Sequence, residues 1–355
     1  MVAMSGGVDS SVTAALLDER GYDVVGVTMK IVPDYIENSQ EQEGSCCAID
    51  DAKIVAAALD IPHYAVNFKE EFHKKVIDNF ISEYSRGRTP NPCIVCNRLI
   101  KFSRLLQRAR ELDCDYLATG HYARIGKSGD DDKYYLKKGL DQEKDQSYML
   151  YRFNQQQLAR IMMPLGEYSK DDVRELAAEY ELPIHDKPDS QEICFVPDGD
   201  YTNFLDRYFD SPGEPGPIYY VDGEKIGEHE GLYNYTIGQR RGLGISLDHP
   251  VYVLEIDSGN NALIVGPREK LSSRGLIAED VNWIHFDEIP ESLQVEVKIR
   301  YNDTPVAATV YPGEGGRARI EFSGSRDAVA PGQSAVFYRD DLVLGGGIIE
   351  KAINP

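Results

Sequence analysis

The first 120 or so residues alternate short apolar runs with stretches of helical periodicity. Three runs have the length and the β-branched or aromatic content of buried strands: YDVVGVTMKI, HYAVNF and DYLATGHYARI. Apolar residues recur at helical spacing in three longer stretches: AIDDAKIVAAALD, EEFHKKVIDNFISEYSRG and NRLIKFSRLLQRARELD. Strands that alternate with helices of this length predict βαβ units, and therefore a parallel sheet with helices on both faces.

The pattern changes near residue 205. Two further helical patterns, SYMLYRFNQQQLARIM and KDDVRELAAEYEL, come before that point. After the Gly- and Pro-rich segment DSPGEPGPIYYVDGEKIGEHEG, short alternating apolar runs continue to the end, which is typical of all-β domains. We therefore predict an α/β domain with a parallel sheet over residues 1–205, a small β-rich central domain over 206–272 and a C-terminal β-barrel over 273–355.

Composition narrows the class of protein. The 355 residues, 42% of them hydrophobic, can bury a sizeable core and exceed one ordinary domain. The chain opens without the features of a signal peptide, and no apolar run approaches the roughly 20 residues that span a bilayer. Six cysteines in such a chain are expected to be reduced, metal-binding or catalytic. We therefore expect a cytoplasmic protein with no membrane partner.

The opening stretch VAMSGGVDSSVTAALL predicts a strand, a turn and a helix, the helix running from about Ser11 to Arg20. Its two glycines allow close backbone approach and the helix start offers unpaired N–H groups, so we expect an anion to bind there. The GxxxxGK[ST] lysine and the GxGxxG pattern are both missing, which favours a bound pyrophosphate over a transferred γ-phosphoryl group or a dinucleotide. The alternative is that a Ser or Asp side chain merely caps the helix.

Cys93 and Cys96 form a Cys-x-x-Cys pair between the turn TPNP and a long amphipathic helix. A helix start favours thiolates, and Arg98 and Lys101 add positive charge nearby, so we expect deprotonated, reactive sulfur here. A thioredoxin-like redox pair, a zinc knuckle and a buried structural pair are the alternatives. Cys194, in SQEICFVP, lies 98 residues beyond Cys96, and no local spacing shows that it meets the pair.

Three cysteines stand outside this group. Cys46 and Cys47 follow the polar stretch DYIENSQEQEGS, and they either relay sulfur or simply begin the next helix. Cys114 lies at a helix end and is expected to face the core as an inert thiol.

Longer motifs carry a resemblance to a known family. SGGVDSS resembles the PP-loop of ATP pyrophosphatases, which split ATP into AMP and pyrophosphate while they adenylate a substrate oxygen. Together with other motifs, it makes the whole chain resemble the tRNA-specific 2-thiouridylases, which place sulfur on the wobble uridine of certain tRNAs. The resemblance implies an adenine nucleotide alpha hydrolase-like fold for the α/β domain. Those other motifs are GRTPNPCIVCNRLIKF, LATGHYAR, KDQSYMLY, DSQEICF, GEHEGLYNYTIGQRRGLG and PGQSAVFY.

The resemblance also implies a reaction. ATP adenylates the 2-carbonyl oxygen of the uridine, sulfur then attacks the same carbon, and AMP departs. Magnesium is expected to accompany the ATP, with Asp9 either holding the ion or capping the helix. By resemblance, Cys96 and Cys194 are the catalytic pair and Cys194 carries a persulfide, supplied by a donor such as a cysteine desulfurase or a sulfur-relay protein.

Cys93 departs from the family's other common pattern, which has Asp at this position. With Cys96 and Cys194 it makes three thiolates, which could hold a [4Fe-4S] cluster whose open iron binds sulfide. The alternative is a persulfide on Cys194 that Cys96 resolves as a disulfide. Cysteines arranged for either task look alike in sequence.

The resemblance further assigns binding residues for ATP and for tRNA. The implied nucleotide pocket consists of Ala3, Met4, Ser5, Gly6, Gly7, Val8, Asp9, Ser10, Met29 and Gly120. The implied contacts to the target base and the rest of the tRNA are Asn91, Pro92, Cys93, His121, Lys144, Asp145, Gln146, Arg300, Tyr301 and Gln333.

The net charge of −21 weighs against a nucleic-acid partner, because phosphate contacts need local positive charge. Local basic clusters around the implied site weaken that objection. They predict that the affinity for tRNA decreases steeply as the salt concentration increases. Two rival functions remain: a PP-loop ligase that adds ammonia and needs no cysteines, and an RNA-binding relative that has lost catalysis. The basic clusters are Arg86 with Arg88; Arg98, Lys101, Arg104 and Arg108; Lys137 with Lys138; and Arg240 with Arg241.

Overall fold

A computed structural model describes residues 1–33, 44–129, 132–188, 193–196, 199–208, 213–286 and 290–354, with residues 44–48 described as backbone only. The first domain contains a parallel sheet of five strands in the order β3-β2-β1-β4-β7. These strands are β1 (Val2–Ala3), β2 (Gly26–Lys30), β3 (His63–Asn67), β4 (Leu117–Ala118) and β7 (Ile161–Met162).

Helices cover both faces of this sheet. Neighbouring strand residues point into different cores: Leu117 packs into one and Ala118 into the other. The predicted βαβ arrangement is therefore confirmed. The helices are α1 (Val8–Glu19), α2 (Gly44–Ala58), α3 (Lys69–Phe72), α4 (Asp78–Ser85), α5 (Pro92–Cys96), α6 (Leu106–Glu111), α7 (Gln155–Leu158), α8 (Lys170–Glu179) and α9 (Tyr201–Tyr208), with π-helical stretches at His73–Ile77 and Asn97–Leu105.

Two predicted elements differ from the structure. The run DYLATGHYARI is not one strand: it divides into β4 and β5 (Ala123–Lys127), and β5 pairs with β6 (Tyr134–Lys138) outside the parallel sheet. The helix predicted for SYMLYRFNQQQLARIM is also wrong. Its apolar residues are buried without the single-faced spacing of an amphipathic helix. In addition, Asn154 forms a capping box with Gln157, which begins the separate short helix α7.

From Gly216 onward the described chain is mainly β-structure, as predicted. The central domain has the sheet order β10-β11-β8-β9. The C-terminal sheet runs β12-β15-β14-β13-β16-β17 and closes through a β12–β17 pairing, and β6 and β5 extend the same sheet from β17. The predicted fold class, including a C-terminal β-barrel, is confirmed. The strands are β8 (Gly216–Tyr220), β9 (Lys225–His229), β10 (Tyr252–Asp257), β11 (Ala262–Gly266), β12 (Ser272–Trp283), β13 (Leu293–Lys298), β14 (Val306–Pro312), β15 (Ala318–Asp327), β16 (Ser334–Arg339) and β17 (Leu342–Ile353).

The barrel holds the turn that precedes the Cys-x-x-Cys pair. Thr89 N–H donates to the carbonyl of Pro331 at 2.9 Å, and Gln333 Nε2 donates to the Thr89 carbonyl at 2.9 Å. Gly332 lies between them with φ of +90°, and an added Cβ would stand 2.9 Å from the Thr89 nitrogen. The barrel therefore fixes the backbone from which the cysteine helix starts.

No helix among the described residues combines the length and the apolar content that crossing a membrane would require.

We expect Gly345→Ala to open the barrel closure. Gly345 has φ of +153°, and an added Cβ would overlap the carbonyl oxygen of Asn282 on the paired strand. Overpacking against backbone costs about 1–3 kcal/mol, so the urea midpoint of the barrel should fall. The matched control is Gly324→Ala, whose added Cβ meets nothing within 4 Å. Equal midpoints for the two variants would contradict this account of the closure.

Candidate active site

The loop after β1 folds into a cradle at the start of α1. The Ser5 N–H donates to Ser10 Oγ at 3.1 Å, and Ser10 Oγ donates to the Gly7 carbonyl at 3.1 Å, so the loop is tied to the first turn of the helix. Gly7 is the N-cap residue and no side chain caps the helix. The first N–H groups of α1 therefore remain available to an anion, and the capping alternative for Asp9 is wrong.

The ends of β1, β2 and β4 meet beside this cradle, as expected for ligands at the carboxyl edge of a parallel sheet. A Cβ added to Gly120 would lie 2.8 Å from the Asp9 carbonyl carbon and 2.9 Å from the Ser10 nitrogen, so this position accommodates only glycine. Of the predicted nucleotide residues, Ser5 is exposed, Ala3, Gly7, Asp9 and Met29 are half-buried, and Met4, Gly6, Val8 and Ser10 are buried.

Asp9 is held by two side chains that the sequence analysis did not identify. Lys170 Nζ lies 2.7 Å from Asp9 Oδ1, and the Tyr122 hydroxyl donates to the same oxygen at 2.8 Å. The Lys170 side chain is only 8% exposed, so its charge is compensated by Asp9 inside the protein. A second unexpected cation, Lys187, donates to the Gly6 carbonyl at 3.2 Å.

The cysteine pair lies at the beginning of a helix, as predicted. Asn91 Oδ1 accepts the Ile94 N–H at 3.3 Å and Pro92 occupies the first helical turn, so α5 starts with both a cap and a fixed φ. Cys96 is 6% exposed, whereas Cys93 is accessible to solvent. Asn91 and Pro92 are predicted to contact the base. In the structure they also start the helix that positions the thiols.

Cys194 lies with this pair, although it is distant in sequence. Each of the three thiols interacts electrostatically with the others, and Cys194, like Cys93, is accessible to solvent. Both residues nevertheless have protein around the thiol, because burial is the largest cause of their raised pKa values. Within the described residues, no three His, Cys, Asp or Glu side chains form a compact set of metal ligands.

The prediction of thiolates at the helix start is wrong for the free protein. Burial raises the pKa of Cys96 to about 11 and the pKa of Cys194 to about 12, and it also raises the pKa of Cys93. Lys101 lowers the pKa of all three thiols, but desolvation outweighs this single cation. The thiols are therefore neutral at pH 7.

A π-helical stretch places Lys101 near the thiols. Residues Asn97–Leu105 form this stretch directly after Cys96, and π-helical hydrogen bonds join residues five apart. Lys101 therefore follows Cys96 by one turn, on the same side of the helix. It also acts on His121: burial, with Lys101 as the second cause, lowers the pKa of that imidazole well below its ordinary value.

His121 connects the cradle to the cysteines. It directly follows Gly120, its Nδ1 shares a hydrogen bond of 2.7 Å with Thr119 Oγ1, and its ring lies 5.6 Å from the ring of Phe102. Since Phe102 neighbours Lys101 in the π-helical stretch, the nucleotide loop and the thiols belong to one continuous site.

The segment 144–146, predicted to contact tRNA, contains two residues that the structure uses internally. The Asp145 carboxylate accepts the backbone N–H groups of Gly139 and Ser147, both at 3.0 Å, and the residue is 7% exposed. Gln146 Oε1 accepts the Tyr122 N–H at 3.1 Å. Lys144 is half-buried.

Tyr301 borders the thiol site from the barrel side. Burial raises its pKa, and the charges of Asp145 and Cys93 add to the increase, so the ring lies close to Cys93. Lys298, which the sequence analysis did not single out, lies 5.7 Å from the centre of the Tyr301 ring. Arg300 is exposed, and its guanidinium donates to the Asp327 carbonyl at 3.4 Å. Gln333, by contrast, braces the turn before the cysteines.

Most of the predicted basic clusters are neutralised by ion pairs. An arginine or lysine that binds a neighbouring carboxylate contributes little net field to an approaching phosphate. The observed pairs are Arg86–Glu83 (3.9 Å), Arg88–Glu83 (2.7 Å), Arg98–Asp280 (2.7 Å), Arg104–Glu71 (3.0 Å), Arg108–Glu111 (3.0 Å) and Lys137–Asp341 (3.4 Å).

The remaining cysteines lie apart from the site or outside the description. The backbone at Cys46 and Cys47 belongs to α2, and their side chains lie outside the described residues. Cys114 packs partly against the core, and its thiol donates to the Leu112 carbonyl at 3.6 Å.

Comparison with known proteins identifies the family. Residues 1–198 match the family described as tRNA methyl transferase HUP domain, residues 202–267 its PRC-barrel domain and residues 273–349 an aminomethyltransferase beta-barrel domain. The chain is 52% identical over 354 residues to tRNA-specific 2-thiouridylase MnmA of Halothermothrix orenii, covering 99% of this chain and 98% of that one. The chain belongs to the tRNA-specific 2-thiouridylase family.

Another full-length relative supports the same membership. The MnmA thiouridylase of Natranaerobius thermophilus is 53% identical over 359 residues, covering 99% of this chain and 97% of that one. Such relatives decide between thiolation and the methyl transfer that the domain descriptions mention. The resemblance stated from the motifs and the sulfurtransferase class are therefore confirmed, and the 2-thiouridylase family uses ATP.

A likeness to a solved structure is weaker. The U34-tRNA thiolase NcsA from Methanococcus maripaludis, with its [4Fe-4S] cluster, is 23% identical and covers 58% of this chain and 64% of its own, with a TM-score of 0.35. A similarity at this level carries no argument about the present site.

We expect alkylation of Cys194 by iodoacetamide to keep accelerating between about pH 8 and pH 10, because its raised pKa of about 12 leaves the thiol protonated there. Lys101→Met should slow the reaction about 3- to 10-fold at a fixed pH, since a cation that favours the thiolate is lost. Mass spectrometry of the modified peptide measures both rates.

The control is Arg104→Met, a cation of the same π-helical stretch that is paired with Glu71 and should leave the rate unchanged. A wild-type rate that levels off below about pH 9 would contradict the raised pKa, and equal rates for Lys101→Met and the wild type would contradict the role of Lys101.

Proposed function

We propose that this protein uses ATP to replace the C2 oxygen of the wobble uridine of tRNA by sulfur. The observation that supports this reaction is the continuity between a loop suited to pyrophosphate and a group of three thiols, joined through Gly120, His121 and Lys101. Phosphate binding alone would need only the loop, and thiol redox chemistry would need only the cysteines.

The loop serves the first half of the reaction. The uridine O2 attacks the α-phosphorus of ATP, the bond from this phosphorus to the bridging oxygen breaks, and pyrophosphate leaves. The N–H groups at the start of α1 stabilise the departing anion. Asp9 Oδ2 would be the carboxylate oxygen available to hold a magnesium ion, because Lys170 and Tyr122 occupy Oδ1. Such an ion would supply neutralisation of phosphate charge.

The thiols serve the second half. The accessible Cys194 can receive sulfur from an external donor such as a cysteine desulfurase, whereas the buried Cys96 is protected from it. The terminal sulfur of the Cys194 persulfide attacks C2, and the bond from C2 to the AMP oxygen breaks. Cys96 then attacks Cys194 Sγ and gives up its proton, so the S–S bond breaks and a Cys96–Cys194 disulfide forms; the departing base takes up the proton at N3 and is released as 2-thiouridine. An external dithiol reduces this disulfide and completes the cycle.

A [4Fe-4S] cluster on Cys93, Cys96 and Cys194 is the alternative sulfur carrier. Its iron would require all three thiolates, and binding would displace the three protons that burial now retains on sulfur. Cys93 has a place in the persulfide route as well, as a thiol next to Tyr301 in the wall that receives the base.

The target base enters between the thiols and the barrel. A uridine must leave its stack to reach a sulfur on Cys194, and an aromatic wall beside the entry suits an extruded base. Tyr301 provides such a ring next to Cys93, and Lys298 adds positive charge 6.0 Å from the neighbouring Tyr148 ring. We propose that Arg300, exposed beside them, contacts the phosphates that flank the base. We also propose that the protein acts in the cytoplasm.

Replacing Cys96 or Cys194 by Ser should reduce thiolation of tRNA by about 1000-fold or more, because each removes a bond-forming sulfur. Thiolated uridine is quantified by mass spectrometry of digested tRNA after incubation with ATP and a persulfide donor. Cys114→Ser, outside the site, is the matched control and should keep full activity. Full thiolation by Cys194→Ser would contradict the role of Cys194 as the sulfur carrier, whereas wild-type protein that consumes ATP in the presence of tRNA but forms no thiouridine would support the rival ligase that adds ammonia.

Iron and acid-labile sulfide in anaerobically reconstituted protein separate the two sulfur carriers. We expect thiolation from a persulfide donor in protein that contains no iron, since Cys194 is the accessible sulfur. About four irons per chain, lost together with activity in Cys93→Ser, would instead establish the cluster.

Arg300→Gln and Lys298→Gln should each weaken tRNA binding and reduce the slope of log Kd against log salt by up to about one, as expected for a lost phosphate contact. Arg108→Gln is the control, because Arg108 is already paired with Glu111 at 3.0 Å. Filter binding over a salt series measures both quantities. Equal slopes for all four proteins would exclude this face of the barrel from the tRNA site.

A further inference from the structure

The phosphate cradle contains no positive side chain of its own. Its charged residue between Ser5 and Ser10 is Asp9, an acid, and the start of α1 contributes only about half a positive charge. The triphosphate of ATP carries several negative charges. A cation from elsewhere in the fold would therefore complement the loop, in addition to a magnesium ion that accompanies the nucleotide.

Lys187 occupies that position. Its Nζ donates to the carbonyl of Gly6 at 3.2 Å and lies 2.6 Å from Asp51 Oδ2, a residue of α2. Gly6 has φ of +71° in the middle of the cradle, so this carbonyl belongs to the turn that would surround a phosphate. The Lys187 side chain is 37% exposed and can reorient toward a ligand without leaving a packed core.

Lys170, the other lysine at the loop, is unsuited to this task. Its ammonium is 2.7 Å from Asp9 Oδ1, its backbone N–H donates to Asp141 Oδ2 at 2.9 Å, and its side chain is nearly inaccessible. Moving it to a phosphate would leave the Asp9 charge partly uncompensated in a buried place. Lys170 and Asp9 therefore cancel each other, and Lys170 positions the carboxylate.

We infer that Lys187 is the residue that binds the pyrophosphate part of the nucleoside triphosphate, exchanging contact with Asp51 for contact with phosphate oxygens. This inference rests on the proposed function, in which the site takes ATP. Asp51 keeps the ammonium next to Gly6 when no ligand is present. The cation that other phosphate loops carry within their motif is thus provided here from residue 187, seven positions before Cys194.

The test compares ligands that differ in phosphate content. Isothermal titration calorimetry with α,β-methylene-ATP and with AMP is performed on the wild type, Lys187→Met, Lys187→Arg and Lys53→Met. Lys53 is the matched control, because it lies on the same helix as Asp51 and pairs with Asp50 at 3.3 Å on the surface. A general loss of folding would affect both ligands, whereas loss of a pyrophosphate contact affects one.

We expect Lys187→Met to bind the triphosphate analogue about 10- to 100-fold more weakly, the range for one lost charge-assisted hydrogen bond, with AMP affinity changed less than about twofold. Lys187→Arg should recover part of the loss, and Lys53→Met should match the wild type. Equal losses for both ligands, or no loss, would overturn the inference.

A second measurement uses the wild-type chain and does not depend on how the variants fold. Inorganic pyrophosphate should protect Lys187 from acetylation by a water-soluble ester, as measured by peptide mass spectrometry, whereas AMP should not. Absence of protection at saturating pyrophosphate would also overturn the inference. If the wild type fails to bind the triphosphate analogue at all, the proposed use of ATP fails; if it binds and Lys187 is indifferent, only the present inference fails.

Discussion

The contact between Gly120 and the first turn of α1 fixes the distance between nucleotide and sulfur. Backbone meets backbone there, with the Asp9 carbonyl carbon 2.8 Å from where a Cβ on Gly120 would stand. Two consequences follow from one missing side chain. The end of β4 is held against the phosphate cradle, and His121, the next residue, reaches Phe102 and the helix that carries the cysteines. A larger residue at position 120 would separate the two halves of the site.

At the thiols, two opposing effects act on the same atoms. Burial removes water from the sulfurs and raises their pKa values, while Lys101 favours the thiolate from one turn away. Because burial is the larger effect, the resting sulfurs are protonated. A protonated sulfur is a poor nucleophile and a poor target for oxidants, so the free enzyme protects its cysteines until a donor or substrate changes their surroundings.

The sequence could predict features that are local or periodic. Alternation of strands and helices predicted the parallel sheet, and the glycines of the opening loop predicted an anion cradle. The sequence could not predict contacts between distant segments. Lys170 contacts Asp9, 161 positions away, and Lys187 contacts Gly6, 181 positions away. The same holds for Lys101. Its relation to Cys96 depends on a π-helical winding that a 3.6-residue periodicity does not represent, and its effect depends on burial that only the assembled core determines.

The net negative charge of the chain is compatible with a tRNA substrate because the basic side chains differ in whether a carboxylate neutralises them. Arginines that would otherwise form a general basic surface bind nearby carboxylates, and those pairs lie within a few ångströms of each other, where their fields cancel before reaching a phosphate. Lys298 lies beside aromatic rings and Arg300 donates to a carbonyl. These are the two cations that we propose for the tRNA contacts beside the thiol site. Elsewhere on the surface, the excess of carboxylates repels polyanions such as tRNA. Repulsion away from the site and attraction at it together favour one bound orientation of the tRNA, in which the anticodon base meets the sulfur, over the many non-specific ones that a basic surface would allow.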